Sequence, residues 1–566
     1  MDNLPTPPDQ FKQLVADEWE FRMQEDPLFA TLTGDHRFDD RLPGASEADF
    51  ARRLEKMRSF RQRQREMSRN ALTPDGQLDY AIFARLLENE IVEIEQRAYR
   101  MPISKAGGFH LSFPELPLFV PLDTPADYEA YVARLNAFQR YVSDHIELMH
   151  TGLDEGQIPP RVTLDGVSDS LRPHIVQAPT QSQLYKPFEQ YPKTVAEDDR
   201  RRLVEAGSAA IMDSVVPGYQ ALLRFVEDEY LPAAREDIAA SNLPNGPAFY
   251  AHRIRYFTSL DLMAEEIHRT GLAEVERIRA EMEAILRKTG FQGGLRQFIE
   301  FLRTDPRFYA DSPAALLKET AYVLKKMDGE LPRLFKTLPR ISYGIRPIPD
   351  FAAPGNTTAY YYPASGDGTR AGIYYVNTYD LKSRPLYEIE ALSLHEAVPG
   401  HHLQIALQQE LEHLEKFRRF GGFTSFVEGW ALYAERLGLE VGFYQDPYSD
   451  FGRLSYEMWR ACRLVVDTGM HALGWTRQQA IDFMAANTSS TLLNIINEID
   501  RYIAWPGQAL AYKIGELEIR KLRAQAEEAL GPRFNLREFH DLVLGSGAVP
   551  LDVLGDMVRQ WIQQQA

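Results

Sequence analysis

Apolar residues in this chain recur at steps of three and four along most of its length, and that period commits it to helix before anything else is known. Leu272, Val275, Ile278, Met282 and Ile285 fall on one stripe with charges between them, so residues 264–287 read as a long amphipathic helix. Residues 18–32, 80–98, 127–150, 198–230 and 475–487 carry the same pattern. Pro and Gly clusters break it at 165–179, 243–247 and 338–368, where Gly366-Asp367-Gly368 reads as a turn. The clearest strand is 372–378, β-branched and aromatic, and with 359–362 it implies a small sheet. The expectation is a mainly α protein with a small β-sheet beside its chemistry.

The cluster near Leu338 divides the chain into a helical N-terminal region, 1–337, and a C-terminal region, 338–566, or the two form one integrated domain. Hydrophobic residues make up 44% and aromatics 11%, which excludes general disorder. A formal charge of −18 argues against nucleic acid or an anionic membrane as partner. The N-terminus is acidic and Pro-rich with no basic-then-apolar run, so a cytoplasmic protein is expected. Cys462 is the only cysteine, which excludes an intrachain disulfide framework, and its apolar surroundings read as a buried small side chain. Oligomeric state is left open.

The chemistry concentrates in His395-Glu396-Ala397-Val398-Pro399-Gly400-His401-His402 and, downstream, in Glu428 of Phe426-Val427-Glu428-Gly429-Trp430-Ala431. Neutral imidazole and carboxylate are natural zinc ligands, and a further carboxylate can deprotonate a water. His395 and Glu428 are ligand candidates for one zinc ion per chain, with Glu396 as general base. The second histidine has two readings. A bulge at Pro399-Gly400 brings His401 into place, whereas a kinked but continuous helix favours His402. Glu435, seven residues after Glu428, lies on nearly the same helix face and can orient a ligand histidine. Arg463 or Arg501 can hold a peptide carboxylate, with His471 as a further donor, although an ion pair of Arg463 with Asp467 one turn away competes. No Gly-x-Ser-x-Gly elbow, phosphate loop or Rossmann fingerprint is present.

Glu428-Gly429-Trp430-Ala431-Leu432-Tyr433-Ala434-Glu435 resembles the ligand helix of zinc aminopeptidases. His-Glu-x-x-Pro-Gly-His-His-Leu-Gln departs from the usual His-Glu-x-x-His and resembles the bacterial domain of unknown function family 885, grouped with zinc peptidases. Gly34-Asp35-His36-Arg37, Arg303 to Tyr309, Tyr375-Val376-Asn377-Thr378 and Pro506-Gly507-Gln508-Ala509 extend the likeness along the chain. The resemblance implies a two-lobed helical body, an intracellular metallopeptidase acting on short peptides, and a strand whose free edge, near Tyr375 and Asn377, aligns the substrate. Asp500-Arg501-Tyr502-Ile503 is similar to the segment that supplies a tyrosine in angiotensin-converting-type dipeptidases. It makes Tyr502 the first choice for oxyanion donor and Tyr512 the second, with Gln508 beside the substrate.

Overall fold

The computed structural model describes residues 6–350, 353, 357–366 and 368–565. Residues 1–5 of the N-terminal reading and Asp367 of the expected turn lie outside them. The chain is mainly α, and it forms two compact units that meet in sequence between Phe249 and Tyr250. Residues 250–337 therefore belong with the C-terminal unit, whereas the punctuation had placed the division near Leu338. The reason is packing: the helix Ala264–Thr289 in that stretch lies along the helix Pro447–Ala472.

The first unit is built on α1 (Pro125–Asp154), whose Tyr128, Tyr131, Leu135, Phe138 and Val142 are buried in its core, with Phe138 packed on Tyr219 of α2 (Val216–Phe225) and Tyr128 and Tyr131 on Phe188. Arg134 on α1 is fully buried and donates to the carbonyls of Pro27, Phe38 and Arg41. That guanidinium clamps the turn around Gly34-Asp35-His36-Arg37, so the motif has a structural role. The stretch expected as one helix, 18–32, is two, because Asp26 caps a new helix that opens on Pro27. The stretch 198–230 is helical throughout but carries π-helical turns at Ile211–Val215 and Val226–Tyr230.

The second unit opens with α3 (Ala264–Thr289). Its buried stripe runs through Ile267, Gly271, Val275, Ile278, Met282 and Ile285, while Leu272 is 42% exposed, one position off the face that packs. A three-stranded sheet follows, of β1 (Tyr343–Pro347), β2 (Ala359–Tyr362) and β3 (Gly372–Val376). β3 lies in the middle, parallel to β1 and antiparallel to β2. The strand expected to offer a free edge is thus paired on both sides; the edge nearest the chemistry belongs to β2, which packs on α4 (Ile389–Glu396). Next come α5 (His401–Glu410), α6 (Thr424–Leu437), α7 (Pro447–Ala472), α8 (Leu492–Ala504) and α9 (Ala511–Leu530). Cys462, Leu464, Val465 and Val466 of α7 have no exposure, and each such apolar side chain contributes about 1.5–3 kcal/mol by leaving water. No helix among the described residues is long and apolar enough to cross a membrane.

Candidate metal centre

Pro399 has no N–H to give a helix and clashes with the carbonyl four residues back, so the helix that carries His395 stops there. α4 ends at Glu396, Ala397 and Gly400 take non-helical dihedrals, and α5 restarts at His401. Gly400 is required by closeness, since a Cβ there would lie 1.9 Å from the His395 carbonyl oxygen. The indole N–H of Trp430 on α6 donates to the Pro399 carbonyl at 2.9 Å and ties the break to the helix bearing Glu428. The break turns His401 back toward His395.

His395 Nε2 stands 3.6 Å and His401 Nε2 3.4 Å from Glu428 Oε2, and one ligand atom from each residue lies within 4.8 Å of the others. Glu428 Oε2 is buried without a hydrogen-bond partner, and so is His401 Nδ1. An ionised oxygen left bare between two imidazole nitrogens is costly unless a cation joins it. Burial would push the His395 imidazole down, but the Glu428 carboxylate beside it and the hydrogen bond to Glu435 outweigh it and hold it up at about 9. Burial would likewise raise the Glu428 carboxyl, yet His401 and His395 keep it far below the ordinary carboxylate range. Two imidazoles and a carboxylate that together attract positive charge fit a divalent transition metal. His401 and Glu428 keep 11% and 19% of their side chains exposed, so the centre reaches solvent on that side.

Glu435 completes the support as expected: His395 Nδ1 donates to its Oε1 at 2.8 Å, which in the neutral ring leaves the lone pair on Nε2, toward Glu428. Arg460 Nη2 stands 3.4 Å from the same oxygen. Glu396 closes α4 beside His395, 9% exposed, and its charge acts on the buried Tyr374 phenol of β3.

His402 is not part of this group. Its Nδ1 meets the Tyr361 hydroxyl of β2 at 2.9 Å, Tyr343 of β1 packs on its ring, and burial pushes it down to about 4. Of the two readings of the second histidine, the structure brings His401 to the centre, by a break in the helix.

The oxyanion candidates change order. The Tyr502 hydroxyl accepts from Arg463 Nε at 2.7 Å and Trp459 Nε1 at 3.0 Å and donates to Glu498 Oε2 at 2.7 Å, so it is fully used. Tyr512 accepts from Gln508 Nε2 at 3.4 Å and has no acceptor for its proton among the described residues. Burial first, then the Glu428 charge, push its phenol up, which places it within electrostatic reach of the centre. The cause is a glycine contact: Gly429 on α6 and Gly515 on α9 touch so closely that a Cβ on Gly515 would sit 1.9 Å from the Ser425 oxygen. That contact draws the first turn of α9 against Glu428.

The remaining candidates, Arg463 apart, are structural or support Tyr512. His471 is fully buried and meets the Tyr502 carbonyl at 3.0 Å. Asn377 is fully buried, donates to the Ala353 and Thr357 carbonyls and accepts from Tyr379 N, so it holds a loop. Tyr375 stacks on Tyr360 of the neighbouring strand. The expected Arg463–Asp467 pair does not form: Asp467 accepts from the Tyr250 hydroxyl and Gly507 N, and Arg463 pairs with Glu498 instead. Arg501 also binds Glu498, at 2.8 Å, and donates to Gln508. Arg460 and Glu498 were missed from the sequence; for Arg460 the one-turn spacing of Tyr456, Trp459, Arg460 and Arg463 on α7 was the available signal.

Residues 27–558 match the model of a family described as bacterial protein of unknown function (DUF885). No curated protein matches the chain. The fold is that of a crystal structure of a "putative lipoprotein" from Colwellia psychrerythraea, with a TM-score of 0.94 and 29% identity over 99% of this chain and 100% of that one. A structure from Shewanella oneidensis, described as "a putative lipoprotein of unknown function", shares the fold at a TM-score of 0.71 and 19% identity, covering 97% and 99% of the two chains.

Proposed function

We propose that this chain, which belongs to the DUF885 family of bacterial proteins, is a zinc-dependent hydrolase of short peptides. The observation that carries the reading is the convergence of His395, His401 and Glu428 around a carboxylate oxygen without a hydrogen-bond partner, with the charge of Glu396 acting on His395. His395, His401 and Glu428 would hold the ion, and Glu435 fixes the His395 tautomer. Zinc bound there supplies a Lewis acid that polarises a carbonyl and makes water a better nucleophile at neutral pH. Glu396 takes the proton from the attacking water and passes it to the leaving amine. Tyr512, with its hydroxyl proton uncommitted, donates to the oxygen where negative charge develops.

The enclosure of β3 favours a second reading, a zinc hydrolase of another amide or ester, because the strand assigned to align a peptide has no edge to offer. Backbone pairing with a peptide falls instead to β2, an edge strand packed on α4. For location, the Colwellia protein's description as a lipoprotein favours the cell envelope over the cytoplasm expected from the sequence.

The test is metal content of the purified protein together with Glu396→Gln assayed on mixed short peptides. About one zinc per chain, and hydrolysis reduced roughly 10²–10⁴-fold in the variant with zinc retained, is the expected result. A variant that keeps its zinc and hydrolyses like the wild type removes the base role, and absence of zinc binding removes the reading.

A further inference from the structure

The group beneath Tyr512 has a charge left over. Arg463 and Arg501 share one carboxylate, Glu498, so two guanidinium charges meet a single anion. Arg463 is 4% exposed, and its third nitrogen, Nη1, is buried without a hydrogen-bond partner. Its guanidinium carbon lies 4.5 Å from the ring centres of both Trp459 and Tyr512, so the cation is held in place by faces that satisfy no N–H. Trp459, Glu498 and Tyr512 lie directly against Arg463, Arg501 and Gln508 adjoin them, and all five are half-buried, so these side chains separate Nη1 from solvent and one of them must move to admit a ligand. A buried guanidinium with a free N–H and an unbalanced positive charge is a built receptor for a carboxylate.

We infer that Arg463 receives the free α-carboxylate of the substrate, so that the proposed hydrolase acts on peptides near their C-terminal end. The inference rests on the peptidase reading and narrows it. Gln508 assists from beside it: its carbonyl oxygen accepts from Arg501 Nη1 at 3.0 Å and its amide reaches the Tyr512 hydroxyl. The carboxylate subsite and the oxyanion donor are therefore joined through one side chain, and a substrate seated on Arg463 sets its scissile carbonyl toward Tyr512. A peptide amide, with no negative charge, leaves Nη1 as bare as before.

The experiment compares N-acetyl-Ala-Phe-Leu with its C-terminal amide. Calorimetry on metal-free wild type reads binding without turnover, and kcat/KM on the zinc-loaded enzyme reads it with turnover. The acid is expected to bind about 10-fold or more tightly than the amide. Arg463→Gln brings the two to parity, and Arg463→Lys, which keeps the charge, restores part of the preference. Equal affinity of wild type for acid and amide, no measurable affinity for either, or an unchanged preference in Arg463→Gln overturns the assignment. The wild-type comparison needs no variant, so misfolding of Arg463→Gln does not remove the test. Equal hydrolysis of acid and amide sinks this inference and leaves the peptidase reading standing. Preferred binding of the acid with no hydrolysis of either peptide does the reverse.

Discussion

At the scale of single residues, the centre is governed by which carboxylate owns which imidazole nitrogen. Glu435 takes the Nδ1 proton of His395 and so presents Nε2 toward Glu428. Glu435→Gln is expected to weaken zinc binding about 10–100-fold, read by competition with a chromophoric chelator, while far-UV dichroism stays unchanged. Unaltered affinity would mean that packing alone orients the ring. The charge state adds a second expectation. His395 is held up at about 9, against burial, by the neighbouring Glu428 carboxylate and its hydrogen bond to Glu435, and an imidazole must be neutral to bind a metal. Zinc binding at pH 7.5 therefore releases about one proton, and affinity falls as pH falls. Calorimetry in two buffers of different ionisation enthalpy reads this, and a buffer-independent enthalpy contradicts it. The two tyrosines separate in the same way. Tyr512→Phe is expected to lower kcat about 10²-fold or more with KM little changed, as loss of an oxyanion donor does. Tyr502→Phe, which removes an oxygen already engaged by Arg463 and Glu498, acts mainly on stability.

At the scale of elements, the decisive feature is the break between α4 and α5. Gly400→Ala places a methyl 1.9 Å from a main-chain oxygen that cannot step aside, so the two helices must separate and His401 with them. The variant is expected to lose about 2–4 kcal/mol of stability and most of its zinc affinity. Gly422→Ala, whose nearest neighbour to a new Cβ is 3.7 Å away, serves as the control and should keep both. The same break shows where sequence reading stops. Helices with a regular apolar stripe, such as α3, were legible to within two residues because the period is a local property. Pro399 announced a disruption, but whether it bulges, kinks or breaks the helix depends on a contact between Gly400 and the last turn of α4. The choice between Tyr502 and Tyr512 depends on the approach of Gly429 to Gly515, residues 86 apart in sequence. The paired edges of β3 depend on β1, a strand containing Pro347 and hidden in a segment that reads as punctuation.

At the scale of the whole molecule, buried histidines set the response to acid. His110 and His145 in the first unit and His402 and His540 in the second are all under a tenth exposed. Burial pushes the first three down to about 4 and His540 to about 3. An unfolded histidine takes its proton near 6.5, so between pH 6.5 and 4 the unfolded chain binds more protons than the folded one. The stability these neutral rings contribute is complete above 6.5 and is lost as pH falls through 4, at up to about 1.4 kcal/mol per pH unit for each ring. In the second unit two acids oppose this. Burial raises Glu388 and Asp467 to about 7, so their contribution is present at low pH and is lost as pH rises through that value. In the first unit burial pushes His174 down to about 4 as well, and it raises Glu90, Glu115 and Asp144, which softens the slope set by the three histidines. His110 isolates the effect, because neither of its ring nitrogens has a hydrogen-bond partner and replacing it removes a titration without breaking a bond. His110→Leu is expected to flatten the pH dependence of urea unfolding between 6.5 and 4 by up to about 1.4 kcal/mol per pH unit, with little change at pH 8. Parallel curves for variant and wild type would mean that His110 is charged, or hydrated, in the folded chain.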